Sequence, residues 1–259
     1  MPDVTRKNTA TGVRRIAIVQ SNYIPWKGYF DIIGTVDEFI LLDNVSYTER
    51  DWRNRNLIKT NSGLRWLSVP VRHNRPSRIS EVTVATDQGD WIRKHLGSIS
   101  HSYADAPKAR EVLKWLTSVY GAAGVASRLS DLNRLLLEEV CTYLGIKTRI
   151  CWSTDYLTCE AMDEMERTQR LVELCKRSGA DIYVSGPAAK AYMEVHRFED
   201  EGIRVEWMDY EGYPPYPQLH GEFTHNVSIV DLLLMEGSDA VKYMKFNSEP
   251  AEDDKHGGE

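Results

Sequence analysis

Three short segments decide how this chain reads: Arg15-Ile-Ala-Ile-Val-Gln20, Lys27-Gly-Tyr-Phe-Asp-Ile-Ile33 and Glu38-Phe-Ile-Leu-Leu-Asp43. The first and third are unbroken apolar runs. Runs that do not alternate suit strands covered on both faces. The segment between them, entered through Pro25, suits a short helix. Strand, helix and strand in so few residues form a βαβ unit, which pairs its strands in parallel with a right-handed crossover. The same rhythm returns later as strands Thr148–Trp152, Asp181–Ser185 and Ile203–Met208. A helix starts at the capping-box-like Asp163-x-x-Glu166 and ends at Gly179, and a short helix covers Pro187–Met193.

Between these halves, Leu64–Val71 and Ile79–Val84 read as a hairpin across a basic, proline-containing loop. Trp91–Tyr103, Pro107–Tyr120 and Ser127–Leu144 read as helices. Leu129, Leu132, Leu135, Leu136 and Val140 form the apolar stripe of the third, and Gly145 is its stop. Val227–Met235 and Asp239–Phe246 read as terminal helices. The fold class is therefore α/β: a Rossmann-like, mostly parallel sheet flanked by helices, with a helical insert and a helical C-terminus. Residues 13–247 form one domain with the insert at about 87–145. Residues 1–12 and 248–259 read as a disordered lead and tail, polar and without periodicity.

With 259 residues the chain can bury a large core without disulfide or metal. Its net charge of −6 argues against a general nucleic-acid binder. No apolar run approaches the length of a membrane span, and the polar start lacks a secretory h-region. The four cysteines contain no C-x-x-C pair, so reduced thiols in a cytoplasmic protein with no metal are expected. With 7 Trp and 13 Tyr against 5 Phe, the aromatics favour a polar pocket.

Ligands of open parallel sheets bind beyond the carboxyl ends of the strands. The turn after the first strand places Gln20, Tyr23, Lys27 and Tyr29 there. Asp43 ends the second strand, with Tyr47 beyond it. Asp51-Trp-Arg-Asn-Arg-Asn56, with Lys59, reads as an anion-recognition loop, because Arg53 and Arg55 offer forked donors while Asn54 and Asn56 offer donor and acceptor together. A surface loop is the other reading. Ser185-Gly-Pro187 reads as a pocket wall, with Gly186 giving a ligand access to the backbone and Lys190 and Tyr192 following. In the stretch from Tyr210 to Asp231 three prolines force an extended path that presents Tyr216 and Gln218. His225 stands before a helix with Ser228 and Asp231 one and two turns on, so a His–Asp base is expected, with a purely structural histidine as its alternative. His220 is the weaker candidate, and Cys175 reads as core.

Ile18-Val-Gln-Ser-Asn-Tyr-Ile-Pro-Trp-Lys-Gly-Tyr29, Asp51-Trp-Arg-Asn-Arg-Asn56, Ser185-Gly-Pro187, Tyr216-Pro-Gln-Leu219 and Phe223-x-His225 together resemble the WbqC-like protein family, from about residue 15 to 246. Ser21 stands where that family is expected to have proline more often. The resemblance implies a place in surface-polysaccharide (O-antigen) or natural-product biosynthesis and the tailoring of a small molecule. The expectation is a transferase moving an acyl or aminoacyl group to an amine, on a nucleotide-linked sugar or a natural-product intermediate. An acyl-thioester is a possible donor, and no cofactor is required. Arg53, Arg55 and Lys59 would hold phosphate or carboxylate, and Tyr23, Tyr29 and Tyr216 would stack on a ring. His225, oriented by Asp231, would be the base, with Asp43 as the alternative. A nucleotide-dependent carboxylate-activating enzyme and a non-catalytic ligand-binding protein are the other readings; the oligomeric state is left open.

Overall fold

Strand β1 (Arg15–Val19) pairs on one side with β2 (Glu38–Leu41) and on the other with β8 (Ile182–Ser185), both in parallel. β7 (Arg149–Trp152) adds outside β2 and β9 (Arg204–Trp207) outside β8. The resulting five-stranded parallel sheet has the order β7-β2-β1-β8-β9. The computed structural model describes residues 12–87 and 89–247. The expected lead and tail fall almost wholly outside these.

The unbroken apolar runs behave as such runs should. Ala17, Phe39, Leu41, Ile182 and Val184 face one core, while Ile16, Ile18, Ile40 and Tyr183 face the other. Each fully buried aliphatic or aromatic side chain stabilises the fold by roughly 1.5–3 kcal/mol. The first core is roofed by α1 (Lys27–Gly34), α3 (Ala109–Ala123), α4 (Leu129–Leu144) and α8 (Ile229–Glu236), with α2 (Trp91–Ser102) packed on α3. The second core is closed by α6 (Arg167–Ser178) and α7 (His196–Glu199). α4 ends at Gly145 and α6 at Gly179, both at φ near +70°, where a side chain would be strained.

Three expectations need correction. The hairpin expected between Leu64 and Val84 is not formed as such. β4 (Gly63–Ser68) pairs instead with β3 (Arg55–Thr60), and only β5 (Val71–Arg72) and β6 (Thr83–Val84) pair across the basic loop. β3 was hidden because Arg55, Asn56, Lys59 and Thr60 make it look like loop, although Asn56, Lys59 and Thr60 are buried. The helix expected from Asp163 starts later: α5 (Cys159–Asp163) ends at that residue, and α6 follows with Glu166 itself as its cap, accepting from Thr168 N and Gln169 N. The stretch expected as the last helix is a 3₁₀ segment, Gly237–Tyr243.

Candidate functional site at the carboxyl edge of the sheet

The turn leaving β1 is clamped from several sides. Arg53 donates to Gln20 O at 3.3 Å, to Ser21 O at 3.1 Å and to Asn22 Oδ1. Tyr29 Oη donates to Gln20 O at 2.8 Å. Asn56 Nδ2 holds the carbonyls of Tyr23 and Ile24 at 3.1 and 3.0 Å. Ile24 sits at φ 34°, a conformation a β-branched residue adopts only when its surroundings impose it. Arg53, Tyr29 and Asn56 therefore hold backbone here.

Asp43 is the hub of the edge. It is 2% exposed, and its carboxylate accepts from Ser21 N at 2.8 Å and from Ser21 Oγ at 2.6 Å. Ser21 Oγ in turn accepts from Asn133 Nδ2 at 3.0 Å, which also reaches Arg53 O. Ser21, which stands where the resemblance led proline to be expected, is thus the residue that orients Asp43. Two carboxylate acceptor positions are used, and a carboxylate has about four.

Asp43 also lines an open cleft of about 240 Å³ beyond the ends of β2 and β7. Its walls are Asp43 and Asn44 after β2, Trp152, Ser153 and Thr154 at the end of β7, Arg128, Ser130 and Asp131 at the start of α4, and Ser80 and Cys159. Asn44 is fixed by Ser153 Oγ, which donates to its Oδ1 at 2.8 Å. Ser130 is 3% exposed, yet its Oγ has no hydrogen-bond partner among the described residues. Asn133 Oδ1 is likewise unpartnered. Cys159 is partly exposed, whereas Cys141, Cys151 and Cys175 are buried, and burial pushes the Cys141 thiol up to about 12.

Lys27 and His225 form a second group. Lys27, at the first position of α1, is 3% exposed and donates to Pro214 O at 3.3 Å. Its ammonium lies 4.5 Å from the Tyr213 ring and 5.4 Å from the Tyr216 ring. Burial lowers its pKa to about 8, against the opposing pull of Asp31. His225 packs between Tyr213 and Phe223; its Nδ1 is buried without a partner among the described residues, and burial and then Lys27 keep its pKa below the usual value. Between Lys27, Tyr216 and His225 no water-sized space remains.

The expected His225–Asp231 pair is not formed. Asp231, wholly buried, accepts from Tyr103 Oη at 2.6 Å, Tyr216 Oη at 2.8 Å and Gln218 Nε2 at 2.9 Å. Lys59 joins this cluster through Gln218 Oε1 at 2.8 Å and Glu222 O at 2.6 Å, and so stands apart from Arg53 and Arg55. Burial raises the Asp231 carboxyl against the lowering effect of those hydrogen bonds. The prolines at 214, 215 and 217 do give an extended path, but Tyr216 is turned inward.

The expected stacking surface is also absent. Tyr23, Tyr29 and Tyr216 are at most 5% exposed, and Tyr23 Oη is bound to His95 Nδ1 at 2.7 Å and Tyr120 Oη at 2.6 Å. The cause is the sheet edge itself, which draws large amphipathic rings inward once their hydroxyls find partners. Arg55 lies 4.1 Å over the exposed Trp66, which packs on Trp52, and Asn54 holds Val69 O. Tyr47 packs on His73, and Tyr192 is exposed beneath Arg167. Ser185 is buried, and the Tyr210 ring covers Gly186.

Sequence reasoning missed Ser130, Asn133, Arg128, Asn44 and Ser153. The signal was present in α4: Ser130 and Asn133 are polar at i, i+3, beside the stripe of Leu129, Leu132 and Leu136, so they occupy a buried face. Among the described residues no group of three or more His, Cys, Asp or Glu could hold a metal ion, and no helix is long and apolar enough to cross a membrane.

The profile of the WbqC-like protein family matches residues 20–243. An uncharacterized protein of Mycobacterium tuberculosis (strain ATCC 25618 / H37Rv), Rv1507c, is 44% identical over 236 residues, covering 90% of this chain and 99% of that protein. No solved structure matches.

Proposed function

Because the chain belongs to the WbqC-like protein family, and because a residue expected to do chemistry opens onto a cleft at the carboxyl edge of its sheet, we propose that it is a small-molecule transferase working at Asp43. The reaction class is acyl or aminoacyl transfer to an amine, in the tailoring of a nucleotide-linked sugar or a natural-product intermediate. The observation that carries this reading is the placement of Asp43: buried, fixed by two bonds from Ser21, and lining the 240 Å³ cleft. Pockets for drug-sized ligands run to about 300–1,000 Å³, so this one suits the reacting end of a substrate.

In the transfer, the acceptor nitrogen attacks the carbonyl carbon of the activated donor. The C–N bond forms, the bond to the leaving group breaks, and that group departs with its electron pair. Asp43 holds the amine and takes its proton. Arg128, exposed on the rim, suits an anionic donor group. His225 and Lys27 are poorer candidates, because the space at them is closed.

The test is turnover by Asp43→Asn, with acyl-thioesters and nucleotide-linked amino sugars as donors and acceptors. Asn keeps the shape and can still accept from Ser21. Turnover should fall on the order of 10²–10⁴-fold with little change in melting temperature. A folded variant with wild-type turnover overturns the role of Asp43. An absence of any transfer by the wild type, with tight binding of one of these compounds, favours a non-catalytic ligand-binding protein.

A further inference from the structure

We propose that the cleft beyond β2 and β7 seats a small zwitterion, an amino acid, with its carboxylate at the first turn of α4 and its ammonium toward Asp43. This rests on the transferase reading in its natural-product form and deepens it, with the amino acid as the amine that accepts the group.

The argument begins with Ser130. A buried hydroxyl without a partner costs free energy in the empty protein, so an orphan lining a cleft marks a place where a ligand completes the bond. Ser130 is also the second residue of α4, a helix of 16 residues whose cap, Arg128, makes no side-chain bond to the first turn. The first N–H groups of a helix lack internal acceptors. Of these, Leu129 N reaches Val82 O, and the internal ladder begins only at Leu132 N, which reaches Arg128 O. The first turn therefore offers backbone donors, a partial positive charge and an unpaired hydroxyl at one spot. With Arg128 on the rim, this end suits a carboxylate.

The opposite polarity is built into the same walls. Asp43 and Asp131 both line the cleft. A simple anion would meet two carboxylates, and a simple cation would meet the positive end of α4 and Arg128. A molecule carrying both charges a few bonds apart satisfies each wall. The volume agrees: an open cleft of about 240 Å³ has room for an amino acid.

Cys159 supplies a reporter, because it lines the cleft and is the partly exposed one of the four thiols. Calorimetry on the full chain with common amino acids at millimolar concentration should find one or more that bind. Their N-acetyl and carboxamide derivatives should bind more than tenfold weaker, since each removes one charge. The same amino acid should slow maleimide labelling of wild-type Cys159, a readout that needs no variant. Ser130→Ala should weaken binding severalfold, and Ser130→Leu, which fills the cleft, should abolish it. The proposal is overturned if no free amino acid binds or protects Cys159, if neutral derivatives bind equally well, or if inorganic phosphate binds more tightly than any amino acid. Binding is measured without a donor, so the two readings separate. A chain that binds no amino acid but transfers in an Asp43-dependent way loses only the zwitterion. A chain that binds one but transfers nothing to any amine loses only the transferase reading.

Discussion

Two buried polar clusters are each built around an aspartate and differ in how far their bonding is closed. Around Asp231, every polar group has found a partner within the protein: Tyr103, Tyr216, Gln218 and Lys59 close on the carboxylate and on one another. Around Asp43, the bonding stops short. Ser21, itself held by Asn133, binds the carboxylate, but among the described residues Asn133 Oδ1 and, at the open cleft, Ser130 Oγ have no partner. A closed network rigidifies a fold; an open one keeps hydrogen-bonding capacity for something that is not protein. An aspartate near a histidine in sequence is therefore less informative than whether the acid's lone pairs are already taken.

The sharpest way to break this contrast is to remove each cluster's centre. Asp231→Ala strands three buried donors and should destabilise the protein by about 3–5 kcal/mol, since each buried group left unsatisfied costs about 1–3 kcal/mol. For a domain of this size that lowers Tm by about 8–15 °C. Ser130→Ala breaks no bond and removes an unsatisfied buried hydroxyl, so it should leave stability unchanged or raise it by up to about 1–3 kcal/mol. Equal losses in thermal denaturation would show that the two clusters are of one kind.

The next test uses His95, a member of a closed network with Tyr23 and Ser68 O. Burial lowers its pKa from 6.5 to about 4. The unfolded chain takes up a proton as pH falls through 6.5, and the folded chain does not until about 4. Stability contributed by the neutral ring is thus complete above pH 6.5 and lost between 6.5 and 4, by about 3 kcal/mol. Asp31 and Asp231, whose carboxyls burial raises, act in the opposite sense. The measurement is therefore the stability difference between wild type and His95→Gln, which should shrink by that amount from pH 7 to pH 4. A constant difference would show that protons reach this network freely.

The smallest effect belongs to the surface. Arg55 stacks on the exposed Trp66, and Arg55→Ala should cost under about 1 kcal/mol in denaturant unfolding. A larger loss would mean that this hairpin face contributes to stability on the scale of the interior.

The sheet was legible because its inner strands β1, β2 and β8 are buried and read as nearly unbroken apolar runs, and the shorter edge strands β7 and β9 repeat the same strand–helix rhythm. β3 was not, because Arg55 and Lys59 are polar residues whose partners, Trp66 and Gln218, lie far along or outside the strand. Of the site, the carboxyl edge and Asp43 could be placed from pattern alone. The destination of Asp231 could not, since its binding by Tyr103 depends on how α2 docks, 128 positions away in sequence. The opposite wall of the cleft was missed for a similar reason: Ser130 and Asn133 become polar groups at a site only when α4 comes to rest against the sheet edge.

The central position of β1 has a consequence in time. Its second neighbour begins where Arg14 N–H meets Asp181, 167 positions further on. At a synthesis rate of about 5–20 residues per second, that partner leaves the ribosome on the order of 10–30 s after β1 does. Throughout that interval the apolar Ile16-Ala-Ile-Val19 ribbon has one edge unpaired, a template on which another nascent chain can add. The middle of the finished sheet is the most adhesive part of the unfinished one, and the yield of folded protein in a cell should depend on what shields that edge while the rest is made.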